Sequence, residues 1–239
     1  MPKFEVTGNV DPILKVHLDD GEVIYCESGA MVAMDERLSL TGKSRGGVMA
    51  AMGRKLLSEE SFFQQRIAAE NGSGDVLISP TLAGDVWLLK VGDEKYTIAD
   101  GCYLANTDGV DIGTKTQGLG KALFASTGSG LKGFFVMQAT GYGTLVVSGF
   151  GSMQEVMVTP DNPQVIDNGH LVAWDSSLKY EVALNTGHKG FFGKMVESVV
   201  SGEGVVLKFT GRGRVIVCSR NRQAFLDWIE SRMPQPKAQ

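Results

Sequence analysis

Apolar and polar residues come close to alternating at the start of this chain. In Ile13-Leu14-Lys15-Val16-His17-Leu18 the apolar side chains fall near every second position, the spacing of a strand that turns one face toward a core. Residues 4–6 read as a strand before it; Val23 to Cys26, Met31 to Met34 and Leu38 to Leu40 read as strands after it. Asp19-Asp20-Gly21, Ser28-Gly29 and Gly42 punctuate them. Short strands recurring at roughly 8–12-residue spacing between glycine turns predict an all-β sandwich or barrel.

The same grammar continues downstream. Val76 to Ile78, Val86 to Val91 and Tyr96 to Ile98 read as strands. So do Phe134 to Ala139 with Leu145 to Val147, and Val205 to Phe209 with Val215 to Val217. These last two couples are expected to pair across the turns Gly141-Tyr142-Gly143 and Gly211-Arg212-Gly213. Three stretches break the strand pattern. Val48, Met52 and Leu56 stand at helical spacing, as do Phe191, Met195 and Val199, and more weakly Leu119 and Leu123. Short helical turns are expected near 46–57, 117–126 and 190–200. A longer helix is expected near 222–233, capped by Asn221, stopped by Pro234 and carrying Phe225, Ile229 and Met233 on one stripe. It should clasp the β body.

The pattern occurs three times. Gly53-Arg54, Gly120-Lys121 and Gly193-Lys194 recur after 67 and 73 residues. The turn glycines Gly74, Gly143 and Gly213 recur after 69 and 70. Ser28-Gly29-Ala30-Met31-Val32-Ala33 returns as Asp100-Gly101-Cys102-Tyr103-Leu104-Ala105 and as Asn168-Gly169-His170-Leu171-Val172-Ala173, with glycine steps of 72 and 68. Three landmarks in one order at nearly one period predict three β units, 1–80, 81–150 and 151–219, followed by a helix and tail over 220–239.

Composition fits a globule able to bury a substantial core. Of 239 residues, 43% are hydrophobic and 21% charged. Glycine, at 31 residues, is near twice its usual share of roughly 7% and sits between apolar runs, as many tight turns require. The net charge of −4 argues against wholesale nucleic-acid binding. MPKFEV enters strand-like sequence with no charged-then-apolar leader, and no apolar run reaches membrane-spanning length. Cys26, Cys102 and Cys218 lie in apolar contexts, as buried thiols of a reducing cytoplasm would. The expected location is cytoplasmic.

Candidate chemistry is sparse. His17, His170 and His188 are far apart, and no metal-ligand, nucleophile-elbow or phosphate-loop motif is present; Gly120-Lys121 lacks both the leading glycine and the following Ser or Thr. No catalytic residue, metal or cofactor is implied. Two cationic features remain as a possible anion or partner surface. One is the set of Gly-basic pairs, carrying Arg54, Lys121 and Lys194. The other is Lys208, Arg212, Arg214, Arg220 and Arg222, which share even parity with no acid between Val205 and Leu226. They could face a phosphate backbone, or form a charged edge that resists aggregation.

The run GGVMAAMGRKLLSEESFFQQRIAAENGSGDVLISP, with the later Asp100 to Ala105, resembles the bacterial branch of the altered-inheritance-of-mitochondria protein family. The likeness spans about residues 3–220 and is most specific at Glu60-Ser61-Phe62-Phe63. It implies a fold like the tryptophan RNA-binding attenuation protein, with small antiparallel sandwiches duplicated in one chain and assembled into rings. It brings no established activity, and none of that protein's tryptophan- or RNA-binding motif matches here. The expectation is a non-enzymatic structural or binding protein, a homotrimer presenting a repeated β surface to a protein, membrane or anionic partner. Two alternatives stand beside it: a small-ligand protein or enzyme with a pocket between units, and RNA binding through 208–222.

Overall fold

The computed structural model describes residues 1–44, 63–115, 136–183 and 206–233. The expected helical turns near 46–57, 117–126 and 190–200 lie outside these residues, and so do Arg54, Lys121 and Lys194. The described part is predominantly β. In chain order the strands are β1 (Lys3–Thr7), β2 (Ile13–Leu18), β3 (Val23–Glu27), β4 (Met31–Met34), β5 (Ser39–Ser44), β6 (Phe63–Ala68), β7 (Gly74–Ile78), β8 (Val86–Val91), β9 (Tyr96–Ala99) and β10 (Tyr103–Thr107). They continue as β11 (Val110–Lys115), β12 (Val136–Gly141), β13 (Gly143–Ser148), β14 (Met153–Val158), β15 (Gln164–Asp167), β16 (Leu171–Asp175), β17 (Lys179–Ala183), β18 (Val206–Thr210) and β19 (Gly213–Cys218). A single α-helix among the described residues, α1 (Arg222–Glu230), follows them.

Four antiparallel sheets result. Their orders are β1-β2-β7-β4, β5-β6-β3-β10-β13-β8, β11-β12-β9-β16-β19-β14 and β15-β18-β17. The two six-stranded sheets have one order, offset by six strands. Alternation decides which face is buried. In β2, Leu14, Val16 and Leu18 are inside, while Lys15 and His17 point outward.

The expected hairpins are corrected by this topology. β12 and β13 do not pair across Gly141-Tyr142-Gly143; they lie in different sheets, as do β18 and β19 across Gly211-Arg212-Gly213. The turn carries the chain from one layer to another. Gly141 (φ +91°) and Gly143 (φ +150°) take backbone conformations that L side chains rarely adopt, and a Cβ on Gly141 would meet the Gly109 carbonyl. A glycine turn between two apolar strands therefore reads the same in sequence whether the chain doubles back in its sheet or crosses between sheets.

Three apolar cores lie between the layers. One gathers Leu14, Val16, Ile24, Ile67 and Val76, a second Leu89, Ile98, Val110, Leu145 and Ile216, and a third Trp174, Leu207, Phe209 and Val215. Trp174 sits edge-on to Tyr180 and Phe209, each ring centroid 5.6 Å away, an arrangement favoured by the aromatic quadrupole. Each long sheet runs from one core to the next. Within the first of them, a buried polar knot links β6 to β10, on either side of β3. Gln64 Nε2 donates to the Tyr103 hydroxyl (2.7 Å) and to Asn106 Oδ1 (3.0 Å), and Asn106 Nδ2 donates to the Thr107 and Val110 carbonyls. Gln64 Oε1 is buried there with no hydrogen-bond partner among the described residues, so the knot ties β6 to β10 without satisfying every group it buries.

The tail helix forms as expected at its start: the Asn221 side chain accepts from the Ala224 amide. Its grip on the body is lighter than expected. None of its residues is buried; Phe225 meets Phe150 edge-on at 5.2 Å, and Arg222 pairs with Asp100 at 3.1 Å.

Candidate functional site

The densest polar constellation among the described residues centres on Arg214, in β19. Its Nη2 reaches Glu94 Oε2 at 2.8 Å and the Tyr96 hydroxyl at 2.6 Å. Its Nη1 reaches Glu155 Oε1 at 3.2 Å, and Nε lies 3.7 Å from Asp175 Oδ2. The Arg214 backbone amide also donates to Asp175 Oδ2 at 2.6 Å. Four strand contexts, the start of β9, β14, β16 and β19, thus meet at one guanidinium. The fork geometry of Arg suits it to several acceptors at once.

The electrostatics follow from this crowding. Burial alone would lower the Arg214 pKa, but Tyr96, Asp175, Glu94 and Glu155 together raise it. Burial raises the Asp175 carboxyl, against the opposing pull of the Arg214 amide and charge. Burial, then the hydrogen bond to Glu94, raises the Tyr96 phenol. Asp175 Oδ1 is buried with no hydrogen-bond partner among the described residues. A cation shared by three carboxylates has little charge left for an external anion; the arrangement acts as a clamp between strands. Beside it opens a cleft of about 480 Å³, lined by Val6, Trp87, Leu88 and Lys90 as well as the clamp.

The remaining cations are dispersed. Lys208 is in β18 and Arg214 in β19, which belong to different sheets, so shared parity does not place them on one face. Arg222 pairs with Asp100, Arg220 lies over the Phe150 ring at 5.6 Å, and Arg212 is exposed at the turn. The clamp was not legible in the sequence because Glu94, Tyr96, Glu155 and Asp175 are remote from Arg214 along the chain.

A second polar group lies on β2 and β7. Asp75 accepts from His17 Nδ1 at 2.6 Å and from Lys15 Nζ at 2.9 Å. The Lys15 hydrogen bond, then that of His17, holds the Asp75 carboxyl below its ordinary value. His170 Nδ1 donates to the Cys218 carbonyl at 2.7 Å; His188 lies outside the described residues. No cluster of three potential metal ligands occurs among the described residues. The cysteines are unbridged; burial pushes the Cys26 and Cys102 thiols up to about 12 and raises Cys218. Among the described residues no helix is long and apolar enough to cross a membrane.

Sheet ends with an exposed apolar side chain include β8 with Leu88, β14 with Met157, and two more. β4 ends the first sheet and β15 ends the last. Val32 in β4 is 56% exposed and Val165 in β15 is 44% exposed. Among the described residues, each has no strand partner on its outer side and carries an apolar side chain there.

Comparison with known proteins adds relatives and a fold match. Residues 4–220 match the family described as mitochondrial biogenesis AIM24. An uncharacterised protein of Streptococcus pyogenes serotype M6 is 31% identical over 229 residues, covering 93% of this chain and 87% of its own. An X-ray crystal structure of a Streptococcus pyogenes protein superposes with a TM-score of 0.77 at 29% identity, covering 98% of this chain and all of that one.

Proposed function

The chain belongs to the mitochondrial biogenesis AIM24 family, and from that premise we propose that it is a non-enzymatic structural protein built of three sandwich units, 1–80, 81–150 and 151–219, with a helix and tail over 220–239. Three chains close into a ring that presents a repeated β surface to a protein, membrane or anionic partner. One observation carries this reading: the six-strand offset between the two long sheets. Each long sheet then combines three strands of one unit with three of the next. The short sheets are the two halves left over at the ends, plus β1. A chain with unlike open ends associates head to tail, and such contacts close into rings or grow into filaments. The resemblance noted from the sequence implies rings of small antiparallel sandwiches like those of the tryptophan RNA-binding attenuation protein. The assembly belongs in the cytoplasm, where three unbridged cysteines are ordinary.

Native mass spectrometry tests it. The expected mass is about 77 kDa, three times the 25.6 kDa chain; a single species at 25.6 kDa would remove the ring. The cleft beside Arg214 supports a second reading, a small-ligand protein whose site lies between units. A low-molecular-mass adduct retained on the native protein and lost from an Arg214→Ala variant would favour it.

A further inference from the structure

We propose that β4 of one copy pairs with β15 of a second copy, antiparallel, with Ala33 opposite Ile166, Met34 opposite Val165 and Asp35 opposite Gln164. The inference rests on the head-to-tail reading above and names its contact. Two joins of this kind already exist inside the chain. In β3–β10, Cys26 is opposite Ala105, Tyr25 opposite Asn106 and Ile24 opposite Thr107. In β9–β16, Ile98 is opposite Ala173, Thr97 opposite Trp174 and Tyr96 opposite Asp175. Counting from the landmark glycines Gly29, Gly101 and Gly169, residue Ala33 corresponds to Ala105 and Ala173, and Ile166 to Ile98 and Cys26. The register of the third join follows by substitution.

Local geometry agrees at both edges. β4, β10 and β16 each carry a register shift at the same place, Met31/Ala33, Tyr103/Ala105 and Leu171/Ala173. Such a bulge re-aims the strand, so β4 is already shaped like the two strands that are joined. At the end of each strand, or just past it in β4, one side-chain oxygen accepts from the neighbouring strand's amide: Asp35 Oδ2 from Asp75 (2.7 Å), Thr107 Oγ1 from Thr144 (3.0 Å) and Asp175 Oδ2 from Arg214 (2.6 Å). Burial separates the joined from the unjoined. Val32 is 56% exposed, whereas its counterparts Leu104 and Val172 are at 0%. Val165 is 44% exposed, whereas Thr97 and Tyr25 are at 5%. The apolar side chains at β4 and β15 are thus those of an interior join. Among the described residues β4 and β15 end different sheets and are not paired with each other; since each matches the other's missing neighbour, the partner assigned is a second copy. Opposite Gln164, Asp35 gains an amide donor rather than a like charge.

Paired cysteines test the contact and its register. Directly opposed Cα atoms in an antiparallel pair lie about 4.5–5.5 Å apart, within the span of a disulfide. A Met34→Cys, Val165→Cys double variant should convert on mild oxidation to covalent multimers, while the parent, with its own three thiols, should not. Mixing the two single variants should give covalent dimers and nothing larger. Moving the second cysteine to Gln164 places the two side chains on opposite faces and should reduce the yield at least tenfold. A Val165→Lys variant, whose fold is checked by circular dichroism, should run at monomer mass. Native oligomers without cross-links, or cross-links from Met34→Cys alone, would overturn the β4–β15 contact while leaving an oligomer in place. A monomeric parent would overturn both the contact and the ring.

Discussion

The Arg214 guanidinium donates to the Tyr96 hydroxyl at 2.6 Å, across the join between β9 and β16. The bond links residues 118 positions apart, and the same guanidinium holds Glu94 and Glu155. An Arg214→Met change keeps much of the stem's packing and removes all of these contacts. It leaves the Asp175 carboxylate, 15% exposed, without its cation. A loss of about 1–3 kcal/mol is expected, discounted toward the lower end because Glu94 is 63% exposed. Urea unfolding followed by tryptophan fluorescence reads it.

Acid should weaken the β2–β7 pairing. The Asp75 carboxyl is held below its ordinary value by Lys15 and His17. A depressed folded pKa contributes stability that is present above the unfolded value, about 3.9 for Asp, and lost as pH falls through the folded one. The difference in urea midpoint between the parent and Asp75→Asn should therefore be largest near neutrality and shrink below about pH 4. A difference independent of pH would assign the effect to packing.

The thiols should be unreactive in the folded chain. Burial pushes Cys26 and Cys102 up to about 12 and raises Cys218, so little thiolate exists at pH 8, and the thiolate is the attacking form. A colorimetric disulfide reagent should titrate fewer than one thiol per native chain and all three after denaturation.

The layer-crossing turn should be intolerant of side chains. Gly141 combines φ +91° with a carbonyl in the path of a Cβ, so Gly141→Ala should cost about 1–3 kcal/mol. Gly113, in β11, has open space where a Cβ would stand; Gly113→Ala should fall within about 0.5 kcal/mol of the parent or slightly above it. Equal losses at the two sites would contradict the crossing geometry.

Nucleic acid should bind weakly if at all. Arg214 and Arg222 are engaged by acids, and the chain is net negative. No salt-sensitive RNA binding is expected at physiological ionic strength. Micromolar binding weakened by Arg212→Ala would contradict that expectation.

How far the sequence reveals this molecule depends on whether the deciding contact is local. β2, β4 and β8 lie where alternation and apolar runs put them, because burial of Leu14, Val16 and Leu18 is a local periodic signal. The Asn221 cap is local too. Strand partners are not: Gly141-Tyr142-Gly143 has the composition of a hairpin turn and crosses between layers instead. The cationic parity of 208–222 was visible, but the acids that engage Arg214 come from β14, β16 and the approach to β9. The light contact of α1 with the body also escaped the helical stripe, since periodicity marks an apolar face without saying what covers it.

Hydrogen exchange at the two open edges is the most direct test of the ring. Peptides covering 31–34 and 164–167 are compared with those covering 103–107 and 171–175, whose strands are interior in one chain. If β4 and β15 are joined between copies, the amides at the edges should exchange as slowly as those of β10 and β16, and the Val165→Lys variant should lose that protection at both edges together. Fast exchange of the outward-facing amides of β4 and β15, those not bonded to β7 and β18, at concentrations where β10 and β16 remain protected, would contradict the closed assembly.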